Sequence, residues 1–337
     1  MKTGKFTVSL LFAVTLAVST VFAGVDTVII TGQTVGITLN SEGAMVAEVA
    51  EIKTKDGKTV SPAKDGGIRK GDVIISVSGK PVHGVDDLHD AVSAAGDKSV
   101  LTELMRDGTK ITTTLKPVLS EDGSYRLGIW AKDAAAGIGT LTFYDPETGN
   151  FGALGHGIAD SGSGMLMDIK DGEVLSSTIV SVEKGEKGEP GELKGVFGEG
   201  DTALGTIEKN TVCGIFGNMT LPEDKAKEGQ SIKIGTREDV REGKAYILAN
   251  IEGSKTEKYE IEIVNIPVFT GDITKGMVIK ITDKDLLSKT GGIVRGMSGS
   301  PIVQSGRLVG AVTHVFVNDP TSGYGIFIED MLNEAQS

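Results

Sequence analysis

The stretch Gly296-Met297-Ser298-Gly299-Ser300-Pro301 has the residue types for covalent catalysis. Glycines on both sides of a serine let the backbone turn tightly and let a substrate come close. In such a turn the N–H groups of Gly296 and Ser298 can converge on one point and hold an oxyanion, with Ser298 Oγ beside it. A serine nucleophile needs a base, usually histidine, and a carboxylate that orients it. The chain has 4 histidines, so the choice is narrow. His156 lies in Gly155-His156-Gly157-Ile158-Ala159-Asp160, directly after the strand-like Phe151–Leu154, with a glycine on each side. His314 lies inside the run Gly310–Val317 and reads as a partly buried strand residue, which makes it the second choice. For the carboxylate, Asp160 shares a short loop with His156 and suits capping that loop better than orienting the ring. Asp283 and Asp285 follow the apolar run Val278–Ile281; Asp283 is preferred because it ends a strand in the same β-rich region as Ser298. The alternative to an enzyme is a non-catalytic adaptor, in which the serine motif is only a turn and the β-rich part a scaffold.

These residues need a frame, and residues from about 118 to 332 offer one. Short runs such as Gly139–Tyr144, Thr178–Val182, Ser231–Ile234, Ala245–Ile251, Tyr259–Val264 and Leu308–Val317 alternate apolar with polar or carry β-branched residues, and turn formers flank them. Many short strands with few helices indicate a β-barrel or sandwich. The charged, Gly/Pro-bearing segment Glu183–Glu192 reads as a mobile loop open to proteolysis.

Residues 33–117 have a different texture. In Ser61–Val77 a helical turn starts at Ala63 and ends at Gly66-Gly67, Ile68 packs inward, and the Gly71-Asp72 turn feeds a strand, Val73–Val77. Asp86 is placed to cap a helix over Asp87–Ala95, whose Leu88, Ala91 and Val92 keep i, i+3, i+4 spacing. Ser99–Arg106 and Lys110–Leu115 pair across an Asp107-Gly108 hairpin turn. This run resembles the PDZ domains of bacterial proteases. The resemblance implies that a peptide adds as a strand beside the helix, with its terminal carboxylate on loop N–H groups. Val35-Gly36-Ile37-Thr38 is the segment that best matches that loop. His83 and His89 read as solvated.

Composition limits the rest. At 337 residues, two domains are expected. Mean hydropathy of +0.01 excludes a multi-span membrane protein. The 34 Lys+Arg against 46 Asp+Glu give a net charge of −12, with no footprint for nucleic acid. The single cysteine, Cys213, forbids an internal disulfide. Residues 1–23 combine Lys2 and Lys5, an apolar stretch and Val21-Phe22-Ala23, so they read as an export signal or, uncut, one membrane anchor. The working compartment is therefore expected to lie outside the cytoplasmic membrane.

The serine hexamer and the hairpin after it resemble the Gly-Asp-Ser-Gly-Gly-Pro element of chymotrypsin-like peptidases, which also place their histidine ahead of their serine. More specifically, the segment from Asp283 to Leu332, the Gly155–Asp160 motif and the order of hydrophobic segment, PDZ domain and peptidase resemble the SpoIVB (stage IV sporulation protein B) peptidases of endospore formers. The resemblance implies a mainly β protein with a small α+β part: a PDZ domain at 24–117 followed by a chymotrypsin-like, double-β-barrel serine peptidase domain at 118–337. It implies a triad of His156, Asp283 and Ser298 with an oxyanion hole at Gly296 and Ser298, and neither metal nor cofactor. It also implies export to the space between forespore and mother cell and self-cleavage near the N-terminus. A SpoIVFA-like membrane regulatory protein would be cut to activate an intramembrane metalloprotease, and with it late sigma-factor processing.

Overall fold

The computed structural model describes residues 26–159, 164, 166–167, 169–197, 203–220, 227, 229–268 and 271–336. The export-type segment and Asp160 lie outside them. Two rings of strands form the body. In the first, Thr34–Val49 pairs with Ile129–Tyr144, and the order continues through Asn150–Ala153, Gly214–Met219, Ala203–Thr211 and Asp171–Ser176 back to Thr34–Val49. In the second, Gly243–Glu252 pairs with Lys255–Asn265, followed by Met277–Ile281, Asp319–Phe327, Arg307–Phe316 and Pro301–Gln304, which returns to Gly243–Glu252. Both are antiparallel six-stranded barrels closed by pairing between first and last strand, although Ile129–Tyr144 is paired on its second side, among the described residues, only from Leu141 onward.

The alternation in the sequence decides what fills them. In Lys255–Asn265, Tyr259, Ile261 and Ile263 are buried while Glu260 and Glu262 face water. They join Ile247, Ile279, Ile302 and Val312 in the second barrel's core. Val35, Ile37 and Leu39 meet Leu141, Phe151 and Ile215 in the first. The strand Thr27–Ile30 bridges to Gln230–Ile234, and the terminal helix Ile328–Gln336 lays Ile328 and Met331 into a fourth apolar cluster.

The PDZ unit has its own core of Ile74, Leu88, Val92, Leu104 and Leu115. Its Val73–Val77 strand and short Pro62–Asp65 helix lie where the residue pattern places them. Asp107 and Gly108 both take left-handed φ, 51° and 69°, as a two-residue hairpin turn requires. Most of the peptidase body follows this unit, but its first barrel strand precedes it. Thr34–Val49 and Ile129–Tyr144 run out of the barrel as a two-stranded ribbon, and Ala44 and Met45 then pair with Ile74 and Val73 of the PDZ sheet. The PDZ unit is thus inserted into the first barrel hairpin, and a boundary at 24 does not separate two bodies.

Two local expectations change. The helix spans Val85–Ala95 with Gly84 at its cap; Asp87, one residue after the expected cap, accepts from His83 N and contacts His83 Nδ1 at 2.9 Å. The Glu183–Glu192 segment is the tip of a hairpin tied down by main-chain bonds, Gly185 N to Thr290 O and Gly188 N to Val317 O, each 2.8 Å. Among the described residues, no helix is long and apolar enough to cross a membrane.

Candidate active site

Ser298 sits on the turn between Met277–Ile281 with its following helix and the strand Pro301–Gln304 of the second barrel. The first barrel holds that turn in place. Thr140 Oγ1 donates to Gly296 O at 2.7 Å, Thr140 N to Ser298 O at 3.0 Å, and Thr142 Oγ1 to Gly299 O at 2.8 Å. Thr140 and Thr142 are both buried, so these bonds form away from competing water. Gly299 has φ 95°, and a Cβ there would lie 2.1 Å from Thr140 O. Only glycine permits this approach. With their carbonyls engaged, the N–H groups of Gly296 and Ser298 meet no acceptor among the described residues, whereas those of Arg295, Met297, Gly299 and Ser300 all do. Two neighbouring free donors beside a serine are the requirement for an oxyanion hole.

His156 comes from the other barrel, on the loop after Asn150–Ala153. Leu154 just before it has φ 71°, a strained conformation for a bulky residue that re-aims the chain toward the serine turn. His156 and Ser298 line one cavity of about 250 Å³, with Ile37, Ile138, Leu154 and Arg295 among its walls. His156 Nδ1 lies 2.9 Å from Gly157 O. A carbonyl only accepts, so Nδ1 carries the proton and Nε2 is the basic nitrogen. Burial lowers the His156 pKa, and the Gly157 carbonyl opposes that only in part, so the ring is held neutral. Ser298 Oγ donates to Thr313 O at 2.8 Å, a rotamer that must swing toward the imidazole before attack.

His314, the alternative base, does not line this cavity. Its ring lies 4.8 Å from that of His156 at 33°. His314 is exposed at the surface, yet partial burial of its ring, then the charge of His156, push its pKa down to about 4 against the opposing charge of Asp272. Two imidazoles at this distance disfavour double protonation, so a charge on His156 makes His314 still harder to protonate.

Asp283 is not brought to this cluster. It is the N-cap of the helix Lys284–Thr290: Oδ1 accepts from Asp285 N and Leu286 N, each at 3.0 Å, and Oδ2 from Glu260 N at 3.3 Å. Its carboxylate is therefore already engaged by amides, and the group fixing the His156 tautomer is the Gly157 carbonyl. Asp285 is exposed in the first turn of the same helix.

The expected peptide loop also moves. Val35-Gly36-Ile37-Thr38 pairs on one side with Gly139-Ile138-Gly137-Ala136 and on the other with Ser176-Leu175-Val174-Glu173. A doubly paired strand has no N–H groups to offer a ligand. The open groove of the PDZ unit, about 320 Å³, instead lies between the Val85–Ala95 helix and Leu127-Gly128-Ile129. That segment has the same apolar-Gly-apolar pattern, which is how the sequence could have shown it. Thr140 and the Gly157 carbonyl carried no motif.

Residues 123–332 match the family described as SpoIVB peptidase S55, and residues 55–106 a PDZ domain family. A Clostridium perfringens protein, named as a zinc metalloprotease, is 34% identical over 86 residues; the match covers 26% of this chain and 26% of that protein's length. Among solved structures, the PDZ domain of an SdrC-like protein from Listeria monocytogenes covers 28% of this chain and 90% of its own, at 18% identity and a TM-score of 0.23. A thermostable serine protease from an extremophilic microorganism covers 61% and 92%, at 11% identity and a TM-score of 0.34.

Proposed function

The chain belongs to the SpoIVB peptidase S55 family, and we propose that it is a serine endopeptidase with Ser298 as nucleophile and His156 as general base. Ser298 Oγ turns from Thr313 O, attacks a peptide carbonyl and gives its proton to His156 Nε2. The oxyanion forms within reach of the Gly296 and Ser298 N–H groups, whose individual loss typically costs about 10²–10³ in rate. Collapse breaks the C–N bond, and the amine leaves with the proton from His156. Water then repeats the sequence on the acyl-enzyme, releasing a carboxylic acid and restoring Ser298. Gly157 O steadies the imidazole throughout. Asp283 acts at a distance, by capping the helix that leads into the serine turn.

The observation that carries this reading is the free donor pair at Gly296 and Ser298, in a cavity shared with a neutral histidine of fixed tautomer. Its test is incubation of the purified chain and its Ser298→Ala form with an unfolded protein, followed by mass. Wild type produces fragments and Ser298→Ala produces none while melting normally. Equal fragmentation by both overturns the assignment.

The family reading extends to biology. The chain is exported to the space between forespore and mother cell, frees itself by cleavage near its N-terminus, and cuts a SpoIVFA-like regulator of an intramembrane metalloprotease. Residues 1–23, with their basic start and apolar stretch, support export. Incubating the exposed domain of such a regulator with wild type and Ser298→Ala tests the last step; an uncut regulator rejects that partner.

A further inference from the structure

His156 and His314 come from different barrels and meet. His156 follows the first-barrel strand Asn150–Ala153, and His314 lies within Arg307–Phe316 of the second. Their ring centroids are 4.8 Å apart, with the planes tilted by 33°. His156 Nδ1 donates to Gly157 O at 2.9 Å, which leaves the Nε2 lone pair free. Ser298 Oγ donates to Thr313 O at 2.8 Å and does not occupy that lone pair. No hydrogen bond among the described residues reaches the His314 ring; burial and the charges of His156, Asp272 and Lys275 set its surroundings. Asp272 is itself held by Thr274 N and Oγ1 and by Lys275 Nζ.

A free imidazole lone pair beside a second imidazole is a chelate for a borderline-soft divalent cation. Zinc bonds an imidazole nitrogen at about 2.0–2.1 Å, so the ion lies about 3.2 Å from each ring centre, and a tetrahedral angle sets the two centres about 5 Å apart. The observed 4.8 Å meets that separation. Histidines that bind metal give their other N–H to a carbonyl or carboxylate, which fixes the ring and makes the ligating nitrogen more basic. Gly157 O does this for His156. The exposed His314 has no hydrogen bond to break when it turns a nitrogen toward its neighbour. No third His, Cys, Asp or Glu completes a set with the pair among the described residues, so water fills the remaining positions and the ion exchanges. A plain contact between two rings has a similar distance, but it predicts no metal uptake.

We propose that His156 and His314 form an inhibitory zinc site across the two barrels, which turns the peptidase off reversibly. The ion takes the Nε2 lone pair of His156 and one ring nitrogen of His314. The same Nε2 lone pair must accept the Ser298 proton, so the roles of ligand and base exclude each other. Two protein ligands instead of four supply roughly half the binding of a structural site, which places half-inhibition on the order of 10 µM zinc. Calcium and magnesium prefer oxygen ligands and leave the pair alone. Withdrawing the zinc restores the base with no change in covalent structure. The inhibition rests on the peptidase reading; the binding of zinc does not.

The test uses the whole chain, freed of metal by a chelator, with an unfolded protein as substrate and zinc chloride as the probe. The initial rate falls about tenfold at about 100 µM zinc, returns when EDTA is added, and ignores equal calcium or magnesium. Ser298→Ala, which cannot turn over, takes up one zinc in a calorimetric titration. In that background His314→Phe and His156→Phe each weaken uptake at least about tenfold, because one ligand of two is gone. His314→Cys supplies a thiolate in place of the imidazole and keeps the uptake. His83→Ala removes the exposed imidazole beside Asp87 and leaves uptake unchanged. No zinc uptake by Ser298→Ala, or uptake that survives both phenylalanine changes, overturns the site. Uptake at the two histidines with a wild-type rate indifferent to zinc overturns the inhibition. If the pair binds zinc but no form of the chain cuts the unfolded protein, the peptidase reading has failed and the metal site stands.

Discussion

Replacing Asp283 by asparagine separates two jobs that a carboxylate can do beside this site. As an N-cap, Asp283 accepts from Asp285 N and Leu286 N at 3.0 Å each. Asparagine caps as well as aspartate, so Asp283→Asn loses only the charge at the helix start, about 0.3–1 kcal/mol. Asp283→Ala loses the cap, about 1 kcal/mol, or roughly 2–4 °C in Tm for a body of this size. That loss reaches the chemistry through a short path. Leu286 anchors the helix in the second barrel core, and Thr290 Oγ1 contacts Leu286 O and Gly292 O just ahead of the serine turn. About 1 kcal/mol of lost order corresponds to roughly a fivefold drop in the competent population. An aspartate that held the imidazole would behave differently: its asparagine form traps the wrong tautomer and costs about 10⁴ in kcat. The assay is kcat/KM and thermal unfolding on both variants. The expected order is Asp283→Asn near wild type, within about threefold, and Asp283→Ala lower in both Tm and activity. An Asp283→Asn protein with normal Tm and a loss near 10⁴ refutes the cap argument and puts Asp283 against His156 in the working enzyme.

Thr140→Val removes the bond to Gly296 O and keeps the main-chain bond to Ser298 O, so kcat falls about tenfold with KM little changed; a change confined to KM contradicts its role in shaping the oxyanion hole. Burial lowers the His156 pKa, so the acid limb of kcat/KM has its midpoint below the usual imidazole value of about 6.5, and a midpoint above 7 contradicts the buried, neutral base. The same shift links to stability. The unfolded chain binds protons at His156 and His314 that the fold does not, so unfolding free energy falls as pH drops below about 6.5, toward about 4 for His314. His314→Phe flattens that slope in a denaturation series, and an unchanged slope removes His314 from the account.

What the sequence shows and what it hides follow from the range of the interactions involved. Period-two alternation is local, and runs such as Tyr259–Val264 are strands where the pattern puts them. The Gly296–Pro301 turn is legible because glycine at a positive φ is a local demand, and Gly296 and Gly299 both have φ 95°. The cap role of Asp283 was equally readable: an aspartate directly before Lys284-Asp285-Leu286-Leu287 is an N-terminal helix signal. A strand end and a helix start coincide there, so the same residue also fits the pattern of an orienting carboxylate. Pairing partners are not local. Thr34–Val49 reads as one Gly-bearing run, and nothing in it marks that Val35 to Leu39 serve a barrel while Ala44 and Met45 serve the PDZ sheet. The Gly157 carbonyl and the Thr313 carbonyl are backbone atoms, which any residue supplies, so side-chain identity carries no trace of their roles.

The insertion changes what the PDZ unit can do mechanically. A unit joined by a flexible linker affects a distant serine mainly by raising local substrate concentration. Here the connection is a two-stranded ribbon, paired from Ile129–Val49 to Thr140–Thr34 with register shifts beside Trp130 and between Lys132 and Ala134. Thr140, at the barrel end of that ribbon, is the residue that holds the carbonyls of Gly296 and Ser298. A peptide adding as a strand beside Ile129–Ala131 in the PDZ groove would pair the ribbon on its second side, which has no strand partner there among the described residues, and stiffen it next to the register shifts. Any such change reaches Thr140 along continuous backbone. Coupling of this kind requires that the two ends share a bistable element, and the two register shifts are the places in the ribbon where pairing is imperfect. Hydrogen exchange at Lys132–Gly137, with and without a C-terminal peptide on the Ser298→Ala protein, decides it. Protection confined to Ile129–Ala131 leaves the two sites mechanically independent, while protection that extends to Thr140 makes the ribbon the link.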